Sequence, residues 1–143
     1  MQTTLMNEVL ELAKTRPLTL EKIERSFHVR FVADTQNTNR YTRFYAATAK
    51  DSPIGLESVE VRFPTSAAAA KQQMIILLLN SSLGLTASEV RERLEEPGSL
   101  QVGRPADPEG TSYTYRLKTA ELRFGILREP NDRVRTIVLV WEE

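Results

Sequence analysis

Residues 134–141 read VRTIVLVW, and this stretch carries the clearest indication of the fold. From Ile137 to Trp141 every residue is apolar, so a strand formed here would have no face suited to water. Continuous apolar runs are typical of strands that are covered on both faces, whereas half-exposed strands alternate apolar with polar residues. We therefore expect residues 134–141 to form a central strand of a β-sheet.

Shorter segments on the N-terminal side of this strand alternate apolar with polar residues, as half-buried strands do. In residues 59–63, for example, Val59, Val61 and Phe63 alternate with two charged residues. The other segments predicted as strands are 27–33, 41–49, 100–102, 113–117 and 122–126. Two prolines and two glycines in residues 103–110 predict a loop there.

The N-terminal region predicts two helices. An apolar stripe at helical spacing runs along residues 3–14. Thr19 then precedes a second helix over residues 20–26, because a threonine hydroxyl in this position accepts a hydrogen bond from the first helical turn.

Two more helices are predicted in the middle of the chain. Thr86 and Glu89 form the T-x-x-E capping box of a helix that ends near Leu94. Residues 65–80 are also predicted as a helix, because alanines and glutamines precede their apolar end. A strand is the alternative for residues 74–79, whose run is apolar throughout.

The order of these predicted elements repeats along the chain. Residues 1–64 and 65–143 each contain a short helix that begins at a Leu-Thr pair, and each continues with at least three strands. We therefore expect a single α+β domain spanning residues 1–143, in which helices pack on an antiparallel sheet as two tandem α–βββ halves. The residues alone leave open whether the halves are a true duplication.

A family resemblance rests on the sequence LGLT at residues 83–86, followed by Val90 and by the strands YTY and LRF at 113–115 and 122–124. Together they resemble the SmpA/BamE domain and the similar fold of the β-lactamase inhibitor proteins. In those families a helix packs on an antiparallel sheet that binds other proteins. The resemblance therefore implies a fold and a protein-binding role. The chain departs from both families, since it has no cysteine for a lipid anchor or a disulfide.

Composition limits the cellular setting and the partners. Nineteen basic residues balance nineteen acidic ones, so no overall field draws the chain to nucleic acids or anionic membranes. The absence of cysteine excludes disulfides, thiol catalysis and thiolate metal sites. Neither a signal-peptide pattern nor an apolar run of ~20 residues is present. We therefore expect a cytoplasmic protein with no nucleic-acid or membrane partner.

Catalytic residues and metal ligands are not recognisable in the sequence. His28 is the single histidine, and we expect it to be exposed on its strand, opposite the apolar side. The carboxylates near it lack the spacing of metal-binding motifs, and Ser81 and Ser82 lack the sequence context of a catalytic nucleophile. We therefore expect a protein that is not an enzyme and that holds no metal and no cofactor.

These exclusions favour binding to another protein as the function. The leading expectation is an immunity or inhibitor protein that binds and neutralises a cognate bacterial toxin or enzyme, by analogy with small neutral immunity proteins. The alternative is a cytosolic adaptor or scaffold protein of a secretion or assembly system. A third hypothesis is a small-ligand or nucleic-acid module. The aromatic and arginine residues within 40–45 support it, and the zero net charge opposes it.

Two polar loops are the predicted partner-binding sites, because loops on a rigid scaffold often carry binding residues. Residues 34–40 form the first loop, and residues 103–110, which contain two prolines, form the stiffer second one. The predicted binding residues are Asp34, Asn37, Asn39, Arg40, Arg104, Asp107 and Glu109. If the halves are equivalent, each loop joins the first two strands of its half and the two loops act side by side.

Overall fold

The computed structural model describes residues 2–15, 18–49, 55–68, 72–80, 83–95, 106–109, 112–117, 120–126 and 133–142. Within these residues it has three α-helices, Gln2–Ala13 (α1), Leu20–Phe27 (α2) and Ala87–Leu94 (α3). The strands of the same residues are Val32–Ala33 (β1), Thr42–Thr48 (β2), Leu56–Pro64 (β3), Gln72–Leu79 (β4), Ala106–Glu109 (β5), Ser112–Arg116 (β6), Glu121–Ile126 (β7) and Val134–Glu142 (β8).

These strands form one antiparallel sheet in the order β1-β2-β3-β4-β8-β7-β6-β5. In its middle, β4 and β8 pair along seven positions, from Gln72 opposite Glu142 to Leu78 opposite Thr136. The two edges are β1 and β5, which lie at opposite ends of the order. The prediction that residues 134–141 form a central strand is therefore confirmed by β8.

One face of the sheet, here called the covered face, carries most of the hydrophobic core. A single row across five strands shows the arrangement, and all of its members are buried: Val61, Ile75, Leu139, Leu122 and Tyr115. The buried side chains of the helices, such as Ile23 of α2 and Val90 of α3, belong to the same cluster. Each fully buried side chain of this size contributes about 1.5–3 kcal/mol to folding.

The helix starts follow the predicted capping residues. The hydroxyl of Thr19 accepts a hydrogen bond from the Lys22 N–H at 3.2 Å, and α2 begins at the next residue after Thr19. The hydroxyl of Thr86 accepts one from the Glu89 N–H, also at 3.2 Å, and α3 follows it in the same way. Both predicted caps are confirmed, because a cap depends on groups only three residues apart.

The prediction of a helix over residues 65–80 is wrong, since residues 72–79 form β4. Alternate side chains of β4 lie on opposite faces: Ile75, Leu77 and Leu79 are buried, and Met74, Ile76 and Leu78 are partly exposed. The strand is paired on both sides, with β3 and with β8. Pairing along its whole length outweighs the helix propensity of the residues that precede it.

The predicted architecture of helices on a sheet in two tandem α–βββ halves is also wrong. In the described residues the chain is mostly antiparallel sheet, with three short helices. The predicted boundary at residue 64 falls between β3 and β4, two strands that are adjacent in sequence and in the sheet. Hydrogen bonding continues across that boundary, so the sheet does not divide there.

Two local predictions also fail. Residues 27–33 do not form a strand, because the buried side chain of Phe27 extends the apolar stripe of α2 by one turn beyond Ile23. Only Val32 and Ala33 are in β1. The predicted loop over 103–110 contains β5, and the predicted strand over 100–102 lies outside the described residues.

Candidate functional site

The connection between β1 and β2, residues 34–41, is here called the hairpin loop. Asp34 organises its first half. The carboxylate of Asp34 accepts hydrogen bonds from the backbone N–H of Asn37 at 3.2 Å and from the Asn37 side-chain Nδ2 at 2.6 Å. The carbonyl of Asp34 accepts two more from Thr38, one from its N–H and one from its hydroxyl. The first half of the loop is thus closed by its own side chains.

Asn39 organises the second half of the hairpin loop. Its side-chain oxygen Oδ1 accepts hydrogen bonds from the N–H groups of Tyr41 at 2.8 Å and Thr42 at 3.0 Å. The Asn39 N–H donates in turn to the carbonyl of Thr42 at 3.0 Å. An asparagine that bonds its own backbone two or three residues ahead holds a tight turn without a buried core.

Thr65, at the end of β3, ties the hairpin loop to the rest of the sheet. Its hydroxyl donates to the carbonyl of Arg40, and its N–H donates to the carbonyl of Tyr41 at 2.9 Å. Thr65 lies 24 residues after Tyr41 in the chain. The backbone of the hairpin loop is therefore held both from within and by a strand that is distant in sequence.

Residues 35–41 of the hairpin loop are all exposed, and Arg40 and Tyr41 carry its largest side chains. The tyrosine is 53% exposed, and the guanidinium of Arg40 lies 5.7 Å from the centre of its ring. Among the described residues, Tyr41 and Val32 of the neighbouring strand β1, at 70%, are the exposed large apolar side chains. A cation over an aromatic face at an exposed site contributes about 0.5–1 kcal/mol, which favours one arrangement of the pair.

Four of the predicted binding residues are brought together in the hairpin loop, and they play different parts there. Asp34, Asn37 and Asn39 are engaged in hydrogen bonds within the loop. Arg40 is exposed and stacks beside Tyr41. The first three residues therefore shape the loop, and Arg40 is the one that is free to meet a partner surface.

Two of the other three predicted binding residues lie far from this loop. The backbone of Asp107 and Glu109 lies in β5, the edge strand opposite β1, and Arg104 lies outside the described residues. Seven strand spacings of about 4.8 Å separate the two edges, which is roughly 33 Å. The structure thus places the two predicted loops at opposite ends of the sheet and not side by side.

The sequence predicts Tyr41 at the start of a strand and Thr65 at the start of a helix, so neither is predicted as part of this loop. In the structure, β2 begins one residue after Tyr41. The spacing of Asp34 and Asn39, each two or three residues before a residue whose N–H it binds, is a local signal that could have located both turns. The role of Thr65 depends on the pairing of β2 with β3 and has no local signal.

A second surface is the open face of the sheet, formed by the side chains that alternate with those of the covered face. Its centre is an apolar strip on β4 and β8 made of Met74, Ile76, Leu78, Val138 and Val140. None of these five belongs to the main core cluster. Val140 is buried, with 2% of its surface exposed, whereas the other four are partly exposed.

Two ion pairs border the apolar strip. On β3, Arg62 lies 2.8 Å from Glu60, and on β7, Arg123 lies 2.8 Å from Glu121. The register places Arg62 and Glu121 in one row of the sheet, on either side of the strip. It places Glu60 and Arg123 in the next row. Positive and negative groups therefore occupy alternate corners of a rectangle around the apolar strip.

A polar cluster joins α3 to β6. The guanidinium of Arg91 lies 5.4 Å from the ring centre of Tyr113 and hydrogen-bonds Tyr115. The hydroxyl of Tyr115 donates to the Glu95 carboxylate at 3.4 Å. Burial raises the pKa of the Tyr115 phenol above its ordinary value. The cluster links the end of a helix to a strand, and this fits a structural role.

Chemistry beyond binding has few candidates in the described part of the chain. His28 is exposed and ends α2 in a left-handed conformation, with φ 56°. The histidine and carboxylates placed by the structure form no group of three or more that could hold a metal ion. Of the helices in the described residues, none has the length and apolar character needed to cross a membrane.

Comparisons of this chain with protein-family models, with curated proteins and with solved structures found no match.

Proposed function

We propose that this chain is a non-catalytic protein-binding module that acts through the hairpin loop. One observation carries the proposal: Arg40 and the 53% exposed Tyr41 are presented by a loop whose backbone is held by its own side chains and by Thr65. Arginine and tyrosine are among the residues that most often dominate the binding energy of protein interfaces. An exposed pair of this kind on a rigid support is suited to a protein partner.

The hydrogen bonds within the hairpin loop reduce the entropic cost of binding a partner. Ordering a mobile loop on association subtracts from affinity, since each immobilised side chain costs about 0.5–1.5 kcal/mol. Asp34 and Asn39 already hold the backbone in one conformation in the unbound chain. The contacts of Arg40 and Tyr41 with a partner therefore do not have to offset the free-energy cost of ordering the loop.

The partner class that we propose is a cognate bacterial toxin or enzyme, which the chain would neutralise as an immunity or inhibitor protein. The resemblance to inhibitor proteins and the neutral composition support this class. The alternative partner is a component of a secretion or assembly system, which the chain would bind as a cytosolic adaptor. Inhibition of the partner's activity distinguishes the two.

The test uses the products of genes adjacent to this one as candidate partners. Each is titrated with the purified chain by calorimetry, and its activity or toxicity is measured with and without the chain. The double substitution Arg40→Ala/Tyr41→Ala should weaken binding about thirtyfold or more, since the loss of even one hot-spot residue typically costs ~2 kcal/mol. Arg25→Ala, at an exposed arginine of α2, is the control and should bind as the unmodified chain does.

Two results would contradict the proposal. Binding that changes less than about threefold in the double variant, with an unchanged melting temperature, would place the interface outside the hairpin loop. Turnover of a substrate by the purified chain would reject the non-catalytic assignment. Binding without inhibition of the partner would support a protein-binding module that acts as an adaptor and not as an immunity protein.

A further inference from the structure

We propose that the open face of the sheet binds a second copy of this chain, forming a two-fold dimer in which two sheets pack face to face. The two-fold axis runs parallel to the strands, between β4 and β8. This interface is separate from the hairpin loop, which lies at the β1–β2 end of the sheet. The dimer therefore does not depend on the function proposed above.

The apolar strip matches itself under this two-fold operation. Rotation about an axis between β4 and β8 brings each residue of β4 over its register partner in β8 of the second copy. Met74 then faces Val140, Ile76 faces Val138 and Leu78 faces Thr136, so apolar side chains meet apolar side chains in the first two of these rows. Sheets that pack face to face bury such side chains between strands that are roughly aligned.

The charges around the strip are complementary to themselves in the same arrangement. Arg62 of one copy comes over Glu121 of the other, because the two residues share a row on opposite sides of the axis. Glu60 likewise comes over Arg123. Each of these four charges thus meets an opposite charge, which favours this one arrangement of the two copies.

The border charges are held in place before any partner arrives. Arg62 pairs with Glu60 and also lies over the ring of Phe44, 5.0 Å from its centre. Arg123 is fixed by its contact with Glu121. All four remain accessible, with side-chain exposures between 24% and 47%. Preorganised charges of both signs favour one register of association over others.

The area of the face suits a dimer that dissociates on dilution. Six strands from β2 to β6 span five spacings of about 4.8 Å, and three rows along the strands cover about 13 Å. With side chains included, the footprint is roughly 600 Å² on each copy, or about 1,200 Å² in total, near the lower end for specific interfaces. We therefore expect an equilibrium between monomer and dimer in the micromolar range.

The test is sedimentation velocity of the full chain across a concentration series from about 1 to 300 µM, a range that brackets such an equilibrium. Ile76→Lys places a charge in the middle of the apolar strip and should leave only monomer. A second variant, Glu60→Arg/Arg62→Glu, exchanges two charges and keeps their ion pair and the net charge. This variant should raise the dissociation constant of the dimer at least tenfold, because like charges then meet across the two-fold axis.

A compensating variant makes the test specific. Adding Glu121→Arg/Arg123→Glu to the first exchange restores opposite charges at every contact and should restore the dimer. Melting curves verify that each variant is folded. A chain that stays monomeric at all concentrations, or a dimer that survives Ile76→Lys, would overturn the proposal. A dimer that is unaffected by Glu60→Arg/Arg62→Glu would exclude a two-fold axis parallel to the strands. An axis perpendicular to the strands would bring residue 60 of one copy over residue 62 of the other, and these two stay opposite in charge after the exchange.

Discussion

The carboxylate of Asp34 binds both the backbone and the side chain of Asn37, at 3.2 and 2.6 Å, and so closes the first turn of the hairpin loop. The side-chain hydrogen bond is the main reason why the pKa of Asp34 lies below its ordinary value of 3.8. A carboxylate stabilised in this way contributes to folding above that ordinary pKa. The contribution is lost as the pH falls through the lowered value.

The first prediction concerns this pair of residues. Asn37→Ala removes the side-chain donor and should raise the pKa of Asp34 towards its ordinary value. The measurement is a pH titration of the Asp34 carboxyl carbon by NMR. Asn39→Ala, which opens the other turn of the loop, is the control and should leave the pKa of Asp34 lowered. An equal pKa in the unmodified chain and in Asn37→Ala would show that this contact does not persist in solution.

The second prediction concerns the end of α2. His28 has a φ of 56°, a left-handed conformation that is unfavourable for any residue with a Cβ atom. His28→Gly should raise the free energy of unfolding by about 1 kcal/mol, because glycine adopts this conformation without the steric cost. His28→Ala retains the Cβ and should give no such gain in urea unfolding. Both variants should bind a partner as the unmodified chain does, since the histidine lies outside the hairpin loop.

The third prediction concerns the approach of Gly55 to Leu83. Gly55 has a φ of 84°, and a Cβ atom there would lie 2.6 Å from Cδ1 of Leu83. Gly55→Ala should lower the free energy of unfolding by roughly 2 kcal/mol or more, from backbone strain and the clash together. In a Leu83→Ala background the same change should cost less, because only the backbone strain remains. Equal costs in both backgrounds would exclude the clash as a cause.

The fourth prediction concerns the buried tyrosine of the α3–β6 cluster. Tyr115→Phe should lower the free energy of unfolding at neutral pH by about 1 kcal/mol, through the lost hydrogen bonds to Glu95 and Arg91. Burial raises the pKa of Tyr115, so its stabilising effect is complete below the ordinary pKa of 10.0. That effect is lost as the pH rises through the raised value.

The difference in the free energy of unfolding between the unmodified chain and Tyr115→Phe should therefore narrow above pH 10.0, the ordinary pKa of the phenol. The measurement is urea unfolding over an alkaline pH series. A constant difference between Tyr115→Phe and the unmodified chain across the series would contradict the raised pKa.

The candidate site could be predicted from sequence only where local interactions define it. Asp34, Asn37, Asn39 and Arg40 were singled out as one loop, and they do lie together between β1 and β2. Their division into three residues whose side chains hold the loop and one, Arg40, whose side chain lies over Tyr41 could not be predicted. It depends on which backbone groups come within hydrogen-bonding distance once the hairpin has formed.

The pattern of charges around the apolar strip could not be predicted from the sequence either. Glu60 and Arg62 look like the solvent-exposed positions of an amphipathic strand, and so do Glu121 and Arg123. Only the register of β3, β4, β8 and β7 places opposite charges across the apolar strip. That register follows from pairing between strands that are distant in the chain, which no short sequence pattern records.

The sequence by itself determined the features that depend on neighbouring residues. These are the caps at Thr19 and Thr86, the alternation of β3 and the wholly apolar run of β8. The tertiary structure alone decided that residues 72–79 form a strand and that the two polar loops lie at opposite edges. The physical reason is the distance along the chain between the residues that stabilise each feature. A cap or an amphipathic pattern is stabilised within a few residues, whereas a strand is stabilised by partners that only the folded chain brings alongside it.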